Sequence, residues 1–376
     1  VTDRETEVLF RNLYFDDMID IIEEMPSNLV KKILKNTNSE DRYLINQFLN
    51  YPENSAGSIM TTEYVDLKKN MKVSQAIKEI RDTVEEKENI YTCYVISEDR
   101  KLEGVVSLKE LITSDDDVTI ESIMNRNFVS AHANDDQEVV ADVIKKYDLI
   151  ILPVVDIENR LLGIITIDDI IDVIEQEDTE DFHRMAGISP VEETYLKTSA
   201  FTMARQRIMW LVVLMISATF TGRIIKSYED VLQSVVVLAS FIPMLMDTGG
   251  NAGAQSSTTV IRALSLGDVE IKDIFKILRK EFLTSFIVAV VLAAINYLRL
   301  ITLTKTSLDV ALVVSGTLIL VVIISKVIGA ILPVVAKTFK LDPAIMAGPL
   351  ITTILDALTL LIYFKFATIF LSGMIK

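Results

Sequence analysis

Leu308-Asp-Val-Ala-Leu-Val-Val-Ser-Gly-Thr-Leu-Ile-Leu-Val-Val-Ile-Ile-Ser-Lys-Val-Ile-Gly-Ala-Ile-Leu-Pro-Val-Val-Ala336 is a run that few water-soluble cores could use. A membrane-spanning helix takes about 20 predominantly apolar residues, and this run predicts one. Working outward, roughly Ile208–Ile225, Val231–Leu264, Phe282–Leu298 and Pro343–Leu371 meet the same test or nearly meet it. An all-α membrane domain of five spans is therefore expected over 205–376. Two spans are interrupted. Asp247, Asn251 and Gln255 break the second, and Asp356 sits near the middle of the fifth. Polar groups at that depth are costly in lipid and belong against a bundle interior or an aqueous path.

Charge divides the 376 residues sharply. Positions 1–200 hold 43 Asp+Glu against 21 Lys+Arg, whereas positions 201–376 hold 10 against 16. An acidic, water-soluble half precedes the membrane half. Such a domain attracts cations and repels nucleic acid. In the short loops, Arg205, Arg207, Arg262, Lys272, Lys276, Arg279, Lys280, Lys337 and Lys340 fall on the side of the acidic half. Arg223, Lys226, Arg299, Lys305 and Lys376 fall on the other, a bias that places the acidic half in the cytoplasm. No cleavable signal pattern is read near Val1. With Cys93, His132 and His183 alone, neither a disulfide framework nor a Cys/His zinc site can be assembled. Nor does a Ser/His/Asp set or Cys/His pair stand near the spans, which argues against an enzyme.

The soluble half repeats itself. Ser58-Ile-Met60 returns as Ser122-Ile-Met124, and Gly104-Val-Val-Ser107-Leu-Lys-Glu110 returns as Gly163-Ile-Ile-Thr166-Ile-Asp-Asp169. Each copy reads as a short strand, an amphipathic helix, two strands and a closing helix. The apolar-Gly-apolar-apolar-[Ser/Thr]-x-x-acid ending in both copies resembles a tandem CBS pair, with α+β repeats at 56–121 and 122–176. Upstream, 1–55 is polar and helical, with apolar positions such as Leu9, Leu13, Ile19, Ile22, Ile33, Leu34 and Phe48.

Pro243-Met-Leu-Met-Asp247-Thr-Gly-Gly250-Asn251-Ala-Gly253-Ala-Gln255 in the second span and Gly348-Pro349-Leu-Ile-Thr352-Thr353-Ile-Leu-Asp356 in the fifth resemble the two signature segments of the MgtE family of magnesium channels and transporters. The resemblance covers nearly the whole chain and makes 1–55 part of that family's helical N domain. It implies a Mg²⁺ permease, homodimeric, in the plasma membrane of a prokaryote. Expected partners are Mg²⁺, as cargo and regulator, and membrane lipid. Mg²⁺ prefers oxygen ligands in octahedral geometry and keeps much of its water, so one or two carboxylates suffice. Asp356 is the leading candidate, with Thr352 and Gly348 one and two turns earlier on its face. Asp247, Gly250 and Asn251 complete the expected pore set. Asp247 and Ala254 depart from many relatives, and the extra carboxylate is expected to alter ion affinity or selectivity. Two alternatives stand beside the pore reading. The glycines pack helices closely or open the backbone to water, and Asp356 pairs with Lys326 or Lys365. A phosphate-cradling loop is weaker, because Gly249–Gly253 lacks the following Gly-Lys-Ser/Thr.

CBS pairs bind adenosine nucleotides, so the resemblance assigns ribose contacts to Ser107 with Glu110 and to Thr166 with Asp169, and ATP as the ligand. Glu110 departs from the usual Asp. Capping of the closing helices accounts for the same residues. Between repeat and membrane, Asp168-Asp-Ile-Ile-Asp172-Val-Ile-Glu175-Gln-Glu177-Asp-Thr-Glu180-Asp181 contains no basic residue. Like charges so spaced on a helix repel, although a solvated charged face reads the same way. By resemblance, Asp169, Asp172, Glu177, Glu180 and Asp181 bind cytosolic Mg²⁺ and close the pore through a plug helix, roughly Ile174–Ala186, in an acidic linker at 177–204. The rival functions are a CBS-gated carrier of Co²⁺ or Mn²⁺, and a membrane-anchored nucleotide or Mg²⁺ sensor that does not conduct.

Overall fold

A computed structural model describes residues 39–190 and 195–372, together with Met18, Ile19, Ile21, Ile22, Met25, Leu29, Val30 and Ile33. Leu9, Leu13 and Leu34, expected apolar positions of the N-terminal helices, lie outside the described residues. The chain divides into two compact units, Val1–Glu177 and Asp178–Lys376.

In the first unit, helix α1 (Ser39–Phe48) buries Ile45 and Phe48 beside Ile19 and Ile22. The repeat follows as read. Copy one is β1 (Tyr64–Leu67), α2 (Val73–Thr83), β2 (Asn89–Ile96), β3 (Leu102–Ser107) and α3 (Leu108–Thr113). Copy two is β4 (Ala131–His132), α4 (Gln137–Tyr147), β5 (Ile151–Val155), β6 (Leu161–Thr166) and α5 (Ile167–Met185). Each copy forms its own three-stranded sheet, with the first strand parallel and the last antiparallel to the middle one. α2 turns Val73, Ala76 and Ile80 inward at helical spacing. β5 is buried at every position, so it reads as an unbroken apolar run rather than an alternating one. Cys93 is a core residue, and burial pushes its thiol up to about 12, leaving almost no thiolate near neutral pH.

The two copies exchange their leading segments. Thr61, ahead of copy one, bonds in both directions with Ile164 of β6, and Asn125, ahead of copy two, does the same with Val105 of β3. This explains the shared glycine. A Cβ on Gly163 would stand 2.9 Å from Met60 Sδ, and one on Gly104 3.0 Å from Met124 Sδ. The methionine of each Ser-Ile-Met therefore fills the space left by the other copy's glycine.

The second unit is helical. After α6 (Ala200–Ser227) come a short helix at Glu229–Ser234 and a 3₁₀ stretch at Val236–Phe241. Then follow α7 (Ile242–Ser265), α8 (Ile274–Thr302), α9 (Leu308–Thr338) and α10 (Gly348–Phe370). Among the described residues four segments are long and apolar enough to cross a membrane: Ala200–Ser227, Ile271–Thr302, Leu308–Thr338 and Pro343–Phe370. The expected second span, Val231–Leu264, is not a single helix. Three pieces replace it, and Pro243 in the first turn sets where α7 begins. α7 falls short of the apolar criterion because Asp247, Asn251, Gln255 and the hydroxyls from Ser256 to Thr259 dilute it. No α6 residue is fully buried, and Leu211, Met215, Ile216 and Phe220 all lie exposed. Such a surface needs lipid or a protein partner to cover it.

Candidate functional site

α7 owes its position to small residues. A Cβ on Gly250 would lie 3.2 Å from Thr352 Cγ2 of α10, and one on Gly249 would lie 2.7 Å from Thr359 Oγ1 and 2.9 Å from Val321 Cγ1. Gly253 abuts Leu355 and the Ser325 carbonyl, and Gly329 of α9 meets the Gly253 carbonyl backbone to backbone. The helix runs unbroken through these glycines. Of the two readings of the glycine pattern, close packing is the one realised, and no backbone is opened to water there.

That packing leaves one flank of α7 facing α10 across a cavity of about 400 Å³. From α7 come Ile242, Pro243, Met246, Asp247, Gly250 and Asn251; from α10 come Thr352 and Asp356. All five expected pore residues line this one space, although about a hundred residues of chain separate the two groups. Asn251 Nδ2 donates to Asp247 Oδ1 at 3.1 Å, one turn away, and steadies that carboxylate. Thr352 Oγ1 donates to the Pro349 carbonyl at 2.9 Å. With its proton committed to its own helix, the hydroxyl has only lone pairs to offer the cavity, which suits a cation. Ile242, Pro243 and Met246 went unread as lining residues, yet they lie one helical turn before Asp247 and Gly250.

Two expectations about Asp356 change. Lys326 does not pair with it; its Nζ donates to Ser256 Oγ at 3.3 Å. Gly348 does not line the cavity. It opens α10 at φ +54°, with the Met185 carbonyl where a Cβ would have to stand. Gly187, at φ +69°, likewise faces Pro349, 3.2 Å from where its Cβ would lie. The end of α5 therefore rests on the segment that starts α10.

The closing helix of copy two and the expected plug helix are one continuous α5, since nothing breaks the chain before Gly187. Several of its acids have partners. Thr166 Oγ1 donates to Asp169 Oδ2 at 2.5 Å, and Gln137 Nε2 to Glu177 Oε1 at 2.8 Å. Arg184, one turn past Glu180, pairs with both Glu180 and Asp342. Arg262 lies 3.7 Å from Asp178. The expectation of an acid run without basic partners is thus corrected for Glu180 and Asp178, whose bases come from just beyond the run and from α7. Burial disfavours the charged Arg184 guanidinium, but Asp342, Glu180 and Asp181 outweigh that and hold its pKa above the usual arginine value. Among the described residues no three Asp, Glu, His or Cys side chains converge as a metal-holding group.

At the two ribose candidates the capping geometry is present. Ser107 Oγ accepts from Glu110 N at 3.2 Å, while Glu110 Oε2 accepts from Ser107 N and Oγ, both at 2.8 Å. At the start of α5 the side chains of Thr166 and Asp169 are joined directly.

Comparison with known proteins agrees with this layout. Residues 242–366 match the MgtE family, described as a divalent cation transporter; residues 1–54 match the MgtE intracellular N domain, and residues 56–116 and 120–176 match CBS domains. The magnesium transporter MgtE of Bacillus subtilis is 36% identical over 359 residues, 96% of this chain and 79% of that protein. Its namesake from Thermus thermophilus is 35% identical over 327 residues, 86% and 71% of the two chains. Among solved structures, the cytosolic domain of the Mg²⁺ channel MgtE in complex with ATP is 36% identical at a TM-score of 0.41, over 43% of this chain and 66% of that one. With N domain, CBS pair and cation-transporter region matched in that order, and with relatives this similar over most of their length, the chain belongs to the MgtE family of divalent cation transporters.

Proposed function

We propose that this protein is a CBS-regulated channel or transporter that carries Mg²⁺ into the cytoplasm through the space between α7 and α10. One observation carries the reading: Asp247, Gly250, Asn251, Thr352 and Asp356, from two distant segments, line a single cavity. At roughly 30 Å³ per water, about 400 Å³ admits an ion with about six waters still attached. Two carboxylates with the side-chain oxygens of Asn251 and Thr352 suit that cargo. It is a transport site, and no bond in a substrate is made or broken.

α7, too polar for lipid, completes the five spans by lying inside the bundle, in the plasma membrane of a prokaryote. Two copies assemble as a homodimer, covering part of α6 and supplying from opposite chains the carboxylates that a regulatory Mg²⁺ needs. High cytosolic Mg²⁺ then joins the α5 acids and holds the gate shut, because the ion binds the closed arrangement better than the open one. ATP is the proposed ligand of the CBS pair, at Thr166 with Asp169 and at Ser107 with Glu110. It would have to take over hydrogen bonds now spent on the helix caps.

The test is Mg²⁺ uptake by liposomes containing the full chain, with internal Mg²⁺ set low or high. Uptake at low and suppression at high internal Mg²⁺ is expected. No uptake in either condition would favour the non-conducting sensor, and faster uptake of Co²⁺ or Mn²⁺ would favour a carrier for those ions. Arg184 gives a second measurement. Arg184→Gln frees Asp342 from the end of α5, so flux at high internal Mg²⁺ should rise about tenfold, the loss of one partly buried ion pair. Flux still fully suppressed in that variant would remove Arg184 from the closed state.

A further inference from the structure

Lys326 lies within the apolar helix α9 and is only 6% exposed. An ammonium group so placed needs a counter-charge and hydrogen bonds, and an ionisable residue inside a membrane bundle is by default a functional candidate. Its Nζ donates to Ser256 Oγ of α7 at 3.3 Å, and Ser256 Oγ donates in turn to Glu281 Oε2 of α8 at 2.6 Å. A hydroxyl that accepts from the ammonium while donating to the carboxylate couples the two charges across itself. Three helices each contribute one member to this bridge.

The bridge stands beside the closest approach of α7 to α9. One turn away on both helices, Gly253 and Gly329 meet backbone to backbone. Such a contact permits close approach but has no side chain to resist sliding or rotation. Ser256 comes nine residues after Asp247, which at about 100° per residue places it about 180° around the helix. This anchor of α7 therefore lies on the face opposite Asp247. Turning α7 about its axis would carry Asp247, Gly250 and Asn251 away from Thr352 and Asp356.

We infer that Lys326 is a positioning residue for ion passage: with Ser256 and Glu281 it sets the rotation of α7 and so keeps the two walls of the cavity face to face. This rests on the ion path proposed above, and the experiment separates the two. Mg²⁺ uptake is measured in liposomes for the wild type, Lys326→Met, Lys326→Met with Glu281→Gln, Asp247→Ala, and Asp247→Ala with Lys326→Met. Lys326→Met should lower uptake about tenfold, and the added Glu281→Gln should restore it to within about threefold by removing the stranded charge. Asp247→Ala should cost about tenfold in the wild type but less than about twofold beside Lys326→Met, because that carboxylate has already left its place. A purely structural lysine would let the two losses multiply. Multiplying losses, no recovery in the charge-neutral pair, or wild-type uptake by Lys326→Met would each overturn the inference while leaving the ion path standing. A wild type that takes up no Mg²⁺ sinks both. Should Lys326→Met fail to fold, Ser256→Ala keeps both charges and removes the bridge. It should make Asp247→Ala nearly silent, and a full tenfold effect there would count against the inference.

Discussion

Asp356→Ala is expected to lower Mg²⁺ uptake into liposomes by on the order of a hundredfold. The cavity between α7 and α10 holds two carboxylates, and they are not equivalent. Asp247 is exposed and shares its Oδ1 with Asn251. Asp356 is half-buried on α10, one turn beyond Thr352, with no hydrogen-bond partner to divide its charge among those that define the cavity. On the proposed path, an ion in the cavity meets this charge at its most desolvated point. Removing one partner of such a pair costs roughly 3 kcal/mol, which is about a hundredfold in rate or affinity. Asp356→Asn preserves volume and shape while removing the charge, so it should be nearly as inactive as the alanine variant. Uptake by Asp356→Asn near the wild-type rate would show that packing, and not charge, is what this position supplies. Robust uptake by both variants would move the ion site elsewhere along the cavity, with Asp247 the first residue to examine.

Gly329→Val is expected to disrupt the membrane domain without touching an ion ligand. A side chain at 329 would enter the space of the Gly253 backbone, which cannot rotate aside as a flexible side chain can. α7 and α9 would have to separate, and the contacts of Gly249 with Val321 and Thr359 would loosen with them. Overpacking a rigid contact costs about 3 kcal/mol or more, which lowers a thermal midpoint in detergent by roughly 10 °C for a domain of this size. Gly222→Ala is the control, since a Cβ there meets nothing within 4 Å and alanine favours the helix. Equal midpoints for the valine variant and the wild type would mean that α7 and α9 do not pack through these glycines.

Much of this was legible in the residues. Apolar length alone marked α6, α8, α9 and α10, because lipid imposes one requirement on every residue of a span. The tandem repeat was legible because the same Gly and Ser-Ile-Met recur at matched offsets. Yet only the fold shows that each copy's glycine answers the other's methionine. The second span was misread in extent: apolar content counts residues without regard to where a chain must turn, and Pro243 starts a new helix after a 3₁₀ stretch. The acid run was read as unpartnered because Arg184 and Arg262 lie outside it, the second on another helix.

The sequence by itself determined the membrane half, the doubled soluble domain, the family, and the candidates Asp247, Asn251, Thr352 and Asp356. Those follow from local composition, periodicity and motif, which survive in one dimension. The tertiary structure alone decided that those candidates share one cavity, that the glycines pack rather than open, and that Lys326 answers Glu281 through Ser256 instead of pairing with Asp356. These depend on which faces of α7, α8, α9 and α10 meet, and that is settled by side-chain size and charge summed over whole helices rather than by any one stretch of chain.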